Sequence, residues 1–142
     1  MTEMKRTSLT PDLSSITELE QTLKEFASDH ELDMGLQNRL NLMLEELITN
    51  SVNYSLQTVS GPELELWLSL EETFVVARLE DNGPAFNPFS EAPEADTTSS
   101  LADRPIGGLG IYLTKKFADE YAYERVGERN RVTLRCKIGT PS

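Results

Sequence analysis

At 142 residues the chain is long enough for one hydrophobic core and too short for two domains of ordinary size. Its 13 Lys and Arg against 24 Asp and Glu leave a net charge of −11, with no basic block to meet a phosphate backbone, so direct nucleic-acid binding is not expected. A single cysteine, Cys136, and a single histidine, His30, exclude an intrachain disulfide, a cysteine-held zinc and a His–His metal pair. The acidic balance serves solubility or a basic protein partner. Neither an apolar N-terminal run nor a membrane-length apolar stretch is present, and the expectation is a cytoplasmic protein without membrane contact.

Lys5 to Leu9 reads as an edge strand, broken by Pro11 and Asp12. A first helix follows, capped by Ser14 or Ser15, with Ile16, Leu19, Leu23 and Phe26 at helical spacing and Glu18 and Glu20 near its positive end. His30 falls in a polar connector as an exposed loop residue. A long central helix is expected from about Gly35 to Leu56, with Leu36, Leu40, Met43, Leu44, Leu47, Ile48 and Val52 on one face.

After a turn at Gly61-Pro62, Glu63 to Leu70 alternates with Leu64, Leu66, Leu68 and Leu70 on one side, the pattern of a half-buried strand. Glu71-Glu72 turns into a second, antiparallel strand, Thr73 to Glu80. Either Val75, Ala77 and Leu79 or Phe74 and Val76 face inward, depending on register. Asn82 to Arg104 has no sustained periodicity and carries Pro84, Pro88 and Pro93; a loop that long in a compact domain is functional or disordered. Gly110 to Tyr121 returns to helical spacing. Two strands, Ala122 to Val126 and Arg131 to Ile138, close the chain around a turn at Gly127 to Asn130. The order predicts an α+β fold: a two-layer sandwich with three main helices on one face of a mainly antiparallel mixed sheet, in one domain spanning 1–142.

Three stretches carry chemistry. Glu46 and Asn50, at i and i+4, lie one turn apart on a helix, where a carboxylate and a carboxamide can share a target, as a general base beside an oxygen ligand for Mg²⁺. Taken alone, a solvated helix flank explains them as well. Asp81-Asn82-Gly83-Pro84 is also a good turn sequence. Gly107-Gly108-Leu109-Gly110, directly before a helix, is either a flexible connector or a place where backbone amides approach a phosphate.

In this order, EELITN at 45–50, EDNGPAF at 80–86 and GGLGIYL at 107–113 resemble the N, G1 and G2 boxes of the GHKL ATPase superfamily, whose nucleotide site is the Bergerat fold. Within it the chain looks like the small anti-sigma-factor serine/threonine kinases. Asp81, Gly83 and Phe86 match a D-x-G-x-x-F pattern, and a phosphoacceptor helix with its histidine is not expected.

The resemblance implies ATP and Mg²⁺ as cofactors, with Glu46 as catalytic base and Asn50 as metal ligand. Asp81 would accept a hydrogen bond from the adenine amine, and Gly83 would let the base approach the backbone. Phe86 would pack near the nucleotide or anchor the loop. Gly108, Leu109 and Gly110 would bring backbone amides to the phosphates. Thr133 would help hold the adenine through water, unless it is an ordinary strand threonine. Residues 84–106 would form a lid, with Arg104 either meeting the γ-phosphate or remaining a solvated charge. Tyr54 replaces a histidine that many members carry, and Glu45 is a second acid beside Glu46. Implied partners are a STAS-type anti-sigma-factor antagonist and a sigma factor, with a homodimer also compatible. A nucleotide-gated binding module without phosphotransfer and a simple ATP hydrolase are the competing functions.

Overall fold

Residues 4–91 and 109–139 are described by the computed structural model. Their elements run β1 (Lys5–Leu9), α1 (Ser15–Asp29), α2 (Met34–Asn50), β2 (Leu64–Glu71), β3 (Phe74–Asp81), the single-turn α3 (Pro88–Glu91), α4 (Leu109–Phe117), β4 (Glu120–Val126) and β5 (Arg129–Lys137). The strands form one sheet in the order β1-β2-β3-β5-β4. All four pairings are antiparallel, so no parallel pair of the expected mixed sheet occurs among the described residues. β1 lies at the edge, as its sequence suggested. The last strand inserts between β3 and β4.

Alternation settles the register that sequence left open. Leu66, Leu68 and Leu70 of β2 stand opposite Leu79, Ala77 and Val75, which in turn face Val132, Leu134 and Cys136 of β5. This is the buried face, and the helices lie on it. Phe74 points the other way, under the guanidinium of Arg135 at 4.9 Å. The helical layer supplies Leu19, Leu23 and Phe26 from α1 and Leu36, Leu40, Met43, Leu44, Leu47 and Ile48 from α2, all in one cluster with the sheet. Each such side chain contributes about 1.5–3 kcal/mol by leaving water.

Several boundaries differ from the sequence expectation, each for a local reason. Neither serine caps α1 through its side chain. Instead Asp12 organises the entry: its Oδ1 accepts from the Ser14 amide at 2.8 Å and its carbonyl accepts from Ser15 Oγ at 2.8 Å. α2 is capped by Asp33, which accepts from the Leu36 amide at 2.8 Å.

The expected helix to Leu56 ends as an α-helix at Asn50 and continues as a π-helical turn over Ser51–Ser55. The β2–β3 turn carries its positive φ at Glu72, 54°. Val126 pairs with Arg129, so the last hairpin turns on Gly127 and Glu128 alone, with Gly127 at φ 60°. α4 stops at Phe117 because the Asp119 amide donates to the Arg135 carbonyl at 2.9 Å and its carboxylate accepts from the Lys137 amide at 2.7 Å. Those bonds start β4 where helix had been expected to Tyr121. His30 is exposed, as expected, beyond the end of α1, with its ring 4.4 Å from that of Phe26. No described helix is long and apolar enough to cross a membrane.

Candidate functional site

The alternation that buries Val75, Ala77 and Leu79 continues one step to Asp81, which carries a carboxylate onto the core face at the end of β3. A buried charge there needs partners, and three converge. Ser51 Oγ donates to Oδ2 at 2.8 Å, while the Gly83 amide and Asn130 Nδ2 each donate to Oδ1 at 2.9 Å. Ser51 opens the π-helical turn, a wider turn of the kind often found at functional sites.

The other end of that turn explains Gly83. A Cβ there would lie 2.7 Å from Ser55 C and 2.8 Å from Ser55 Cβ, and closer still to the Ser55 carbonyl oxygen. Close approach of backbone, not an unusual φ, demands glycine at this position.

One turn before the π segment, Asn50 Nδ2 donates to Glu46 Oε2 at 3.0 Å and to the Glu46 carbonyl at 3.1 Å. Asn50 Oδ1 accepts nothing among the described residues. Glu46 is half-buried, and removal of its carboxyl from water raises its pKa above the ordinary glutamate value, opposed in part by the Asn50 amide. The start of α4 presses on it. A Cβ on Gly110 would lie 2.5 Å from Glu46 Cβ and closer to Cγ and Oε1. Glu45, its neighbour, is turned elsewhere and accepts from Asn41 Nδ2 at 2.9 Å.

Beside Asn50 and Asp81 lies a small pocket with Leu47, Leu79 and Val132 as apolar lining and Asn50, Ser51, Asp81 and Asn130 as polar lining. Phe86 and Pro88 line it from the segment after β3. Tyr54 stacks on Phe86, ring centroids 5.3 Å apart.

The fold thus brings together Glu46, Asn50, Asp81, Gly83, Phe86 and Gly110. Leu109 opens α4. Arg104 and Gly108 lie outside the described residues, as does most of the expected 84–106 lid. Thr133 does not join the group. It pairs with Arg78 and Ala122 on the outer face of the sheet, because β5 buries Asn130, Val132, Leu134 and Cys136 and turns the residues between them outward.

The β5 residue at the pocket is Asn130, paired directly with Asp81. Sequence reasoning placed it in a turn, yet extending the Val132, Leu134, Cys136 alternation one step back would have found it. Lys115 and Lys116 are exposed, the former donating to the Phe89 carbonyl at 2.9 Å.

These donors suit a magnesium–nucleotide. Asn50 offers one free hard oxygen, and no group of three or more His, Cys, Asp or Glu able to hold a metal occurs among the described residues. A divalent ion here would take its other ligands from water and phosphate oxygens, as Mg²⁺ does.

An antiparallel sheet under two long helices, with a polar pocket where α2, β3 and β5 meet, is the architecture of the GHKL Bergerat fold. The chain belongs to the histidine kinase-like ATPase domain family, whose model matches residues 9–136. Among solved structures it is similar in fold to the Acinetobacter baumannii histidine kinase AdeS, with a TM-score of 0.52 and 16% identity over 97% of this chain and 70% of that one. No curated protein matches the sequence.

Proposed function

We propose that the protein is an ATP- and Mg²⁺-dependent regulatory serine/threonine kinase of the partner-switching kind. It would transfer the γ-phosphoryl group to a hydroxyl of a STAS-type anti-sigma-factor antagonist and sequester a sigma factor in its alternate state. Glu46 carries this proposal. A carboxylate that is half-buried, raised in pKa, bonded to Asn50 and packed on Gly110 suits a general base, whose efficiency grows as its pKa approaches the working pH. A module that only binds nucleotide has no use for one.

The chain's own histidine is poorly placed as an acceptor. His30 lies beside Met4 and Lys5. Lys5 pairs with Leu68, four residues along β2 from the Leu64 that faces Asp81, which is about 13 Å of strand.

When bound, Mg·ATP supplies the activated phosphoryl group and the neutralising cation. The chain's residues bind, orient and move the proton. Asp81 would accept from an amino group of the base and Phe86 would border it, while Gly83, whose missing Cβ makes room for the Ser55 backbone and not for the base, would hold Asp81 through its amide. Asn50 would present Oδ1 to the metal. Glu46 takes the proton of the attacking hydroxyl. As the resemblance implies, Gly108, Leu109 and Gly110 would bring amides to the phosphates, and Arg104 would be the cation that meets the γ-phosphate from the 84–106 lid. The same proposal assigns a cytoplasmic location and allows a homodimer.

Incubating the protein with γ-labelled ATP, Mg²⁺ and a STAS-domain partner, then locating the label, tests the assignment. Label on a serine or threonine of the partner supports it. Label released as inorganic phosphate indicates a hydrolase, and label retained in ATP indicates a gated binding module.

A further inference from the structure

We propose that Asn130 is the positioning residue of the base pocket, fixing the Asp81 carboxylate so that it offers one acceptor position to an amino group of the base. Through Tyr123 and Arg125, Asn130 also makes the β4–β5 hairpin part of base selection. This inference rests on the ATP-binding reading above and concerns how the pocket chooses adenine.

Asn130 is buried at the core-facing start of β5. Its Nδ2 donates to Asp81 Oδ1 at 2.9 Å and to the Pro84 carbonyl at 2.8 Å, with the Gly83 carbonyl at 3.5 Å. Its Oδ1 accepts from the Phe86 amide at 3.1 Å, the Tyr123 hydroxyl at 2.6 Å and Arg125 Nη1 at 3.2 Å. The network dictates the orientation of the amide. A flip would set its oxygen against the Asp81 carboxylate and the Pro84 carbonyl, and its NH₂ against three donors. Arg125 adds a second hold on the same loop, donating to the Gly83 carbonyl at 2.6 Å.

A carboxylate has about four acceptor positions. In Asp81 the two on Oδ1 are taken by Gly83 and Asn130, and one on Oδ2 by Ser51. The remaining position on Oδ2 accepts one N–H. An amino group on the base edge meets it, whereas a carbonyl in the same place brings two acceptors together. Such a site rejects the wrong edge strongly, because its buried polar groups are left unpaired. Without Asn130, Oδ1 loses a donor and the carboxylate is free to turn. The Pro84 carbonyl, the Phe86 amide and the Tyr123 hydroxyl lose their partner at the same time. Asn130 therefore sets both the acceptor geometry and the path of residues 83–86.

The test measures ATP and GTP affinity by calorimetry in Mg²⁺, with thermal unfolding, for the parent, Asn130→Ala, Asn130→Thr and Tyr123→Phe. Asn130→Ala should lower the ATP-over-GTP preference by about 10- to 100-fold, the size of a hydrogen bond to a charged group. Asn130→Thr, whose hydroxyl can again donate to Asp81, should recover part of that preference. Tyr123→Phe removes one of three donors to Asn130 and should lower the preference by about two- to tenfold while the chain stays folded.

A parent without preference for ATP over GTP would overturn the proposal. So would variants that lose ATP and GTP affinity equally, or melt lower with preference intact, since Asn130 would then be merely structural. If Asn130→Ala fails to fold, Tyr123→Phe decides, and an unchanged preference there overturns it. A parent that binds no nucleotide removes the ATP-binding reading itself and this inference with it. A parent that binds, with preference unmoved in the variants, refutes this inference alone.

Discussion

Gly83→Ala is the sharpest probe of how the site is held, because its effect follows from one close approach of backbone. The added Cβ would stand 2.7 Å from Ser55 C and 2.8 Å from Ser55 Cβ, with the Ser55 carbonyl oxygen nearer still. Carbon atoms settle at about 3.5–4.0 Å, so the two segments must part by roughly 0.7–1.3 Å. Neither neighbour is the free end of a side chain. The Ser55 backbone belongs to the π-helical turn, and Gly83 is tied to Asp81 through its amide and to Arg125 through its carbonyl.

Overpacking of this kind costs about 1–3 kcal/mol. At about 2–4 °C per kcal/mol for a chain of this size, melting should fall by roughly 2–12 °C. The displacement also pulls Ser51 away from Asp81, so nucleotide affinity should fall with stability. Calorimetric melting of parent and variant, with and without Mg·ATP, measures both. A variant that melts within a degree of the parent would show that the π turn and the Gly83 loop are not packed as described.

Glu46→Gln should melt higher than the parent at neutral pH, since a carboxyl whose pKa is raised by folding destabilises the fold once ionised. The unfolded chain ionises first as pH rises, so the variant's advantage should vanish below the ordinary glutamate pKa and grow above it; a pH series of unfolding curves reads this, and an advantage independent of pH would contradict the burial of the carboxyl. Asp81→Asn keeps the shape but replaces an acceptor by a donor, and should weaken ATP binding by about 1.5–3 kcal/mol in a titration, with unchanged affinity returning Asp81 to a mere turn role. Arg129 bonds Glu63 at 2.8 Å and Glu65 at 2.7 Å and reaches the buried Glu80 at 3.3 Å. Arg129→Met should therefore cost about 1–3 kcal/mol in urea unfolding, more at low salt than at high; a loss independent of salt would indicate packing instead of charge.

Elements with one strong period were legible in the sequence, and those decided by tertiary partners were not. Leu64, Leu66, Leu68 and Leu70 alternate with only Trp67 apolar on the opposite phase, and the strand forms where they stand. β3 was ambiguous because Phe74, Val75, Val76, Ala77 and Leu79 are apolar on both phases. Asp81 shares its phase with Val75, Ala77 and Leu79, and its need for a donor-lined pocket goes with the inner face. Thr133 was drawn in by its match to a family threonine, although its place between Val132 and Leu134 turns it outward. Nothing in SVNYS distinguishes a π turn from a continuing helix, since Val52 keeps the helical spacing. What favours the wider turn is remote in sequence: the Ser51 hydroxyl on Asp81 and the Ser55 backbone on Gly83.

The same remoteness explains why the three motifs read as one site only when taken together. Glu46 and Asn50 are a helix flank until Gly110 packs on the one and the pocket opens beside the other. Asp81 is a turn residue until Ser51 and Asn130 hold its two oxygens in different directions. Gly83 and Gly110 are the residues that permit these approaches, one toward the Ser55 backbone and one toward the Glu46 side chain. Exchanging either for alanine would therefore act on different halves of the site. Gly83→Ala disturbs the carboxylate proposed to meet the nucleobase, whereas Gly110→Ala displaces Glu46 and leaves the Asp81 network intact. Loss of nucleotide affinity from the first and loss of turnover at near-normal affinity from the second is the pattern this geometry demands.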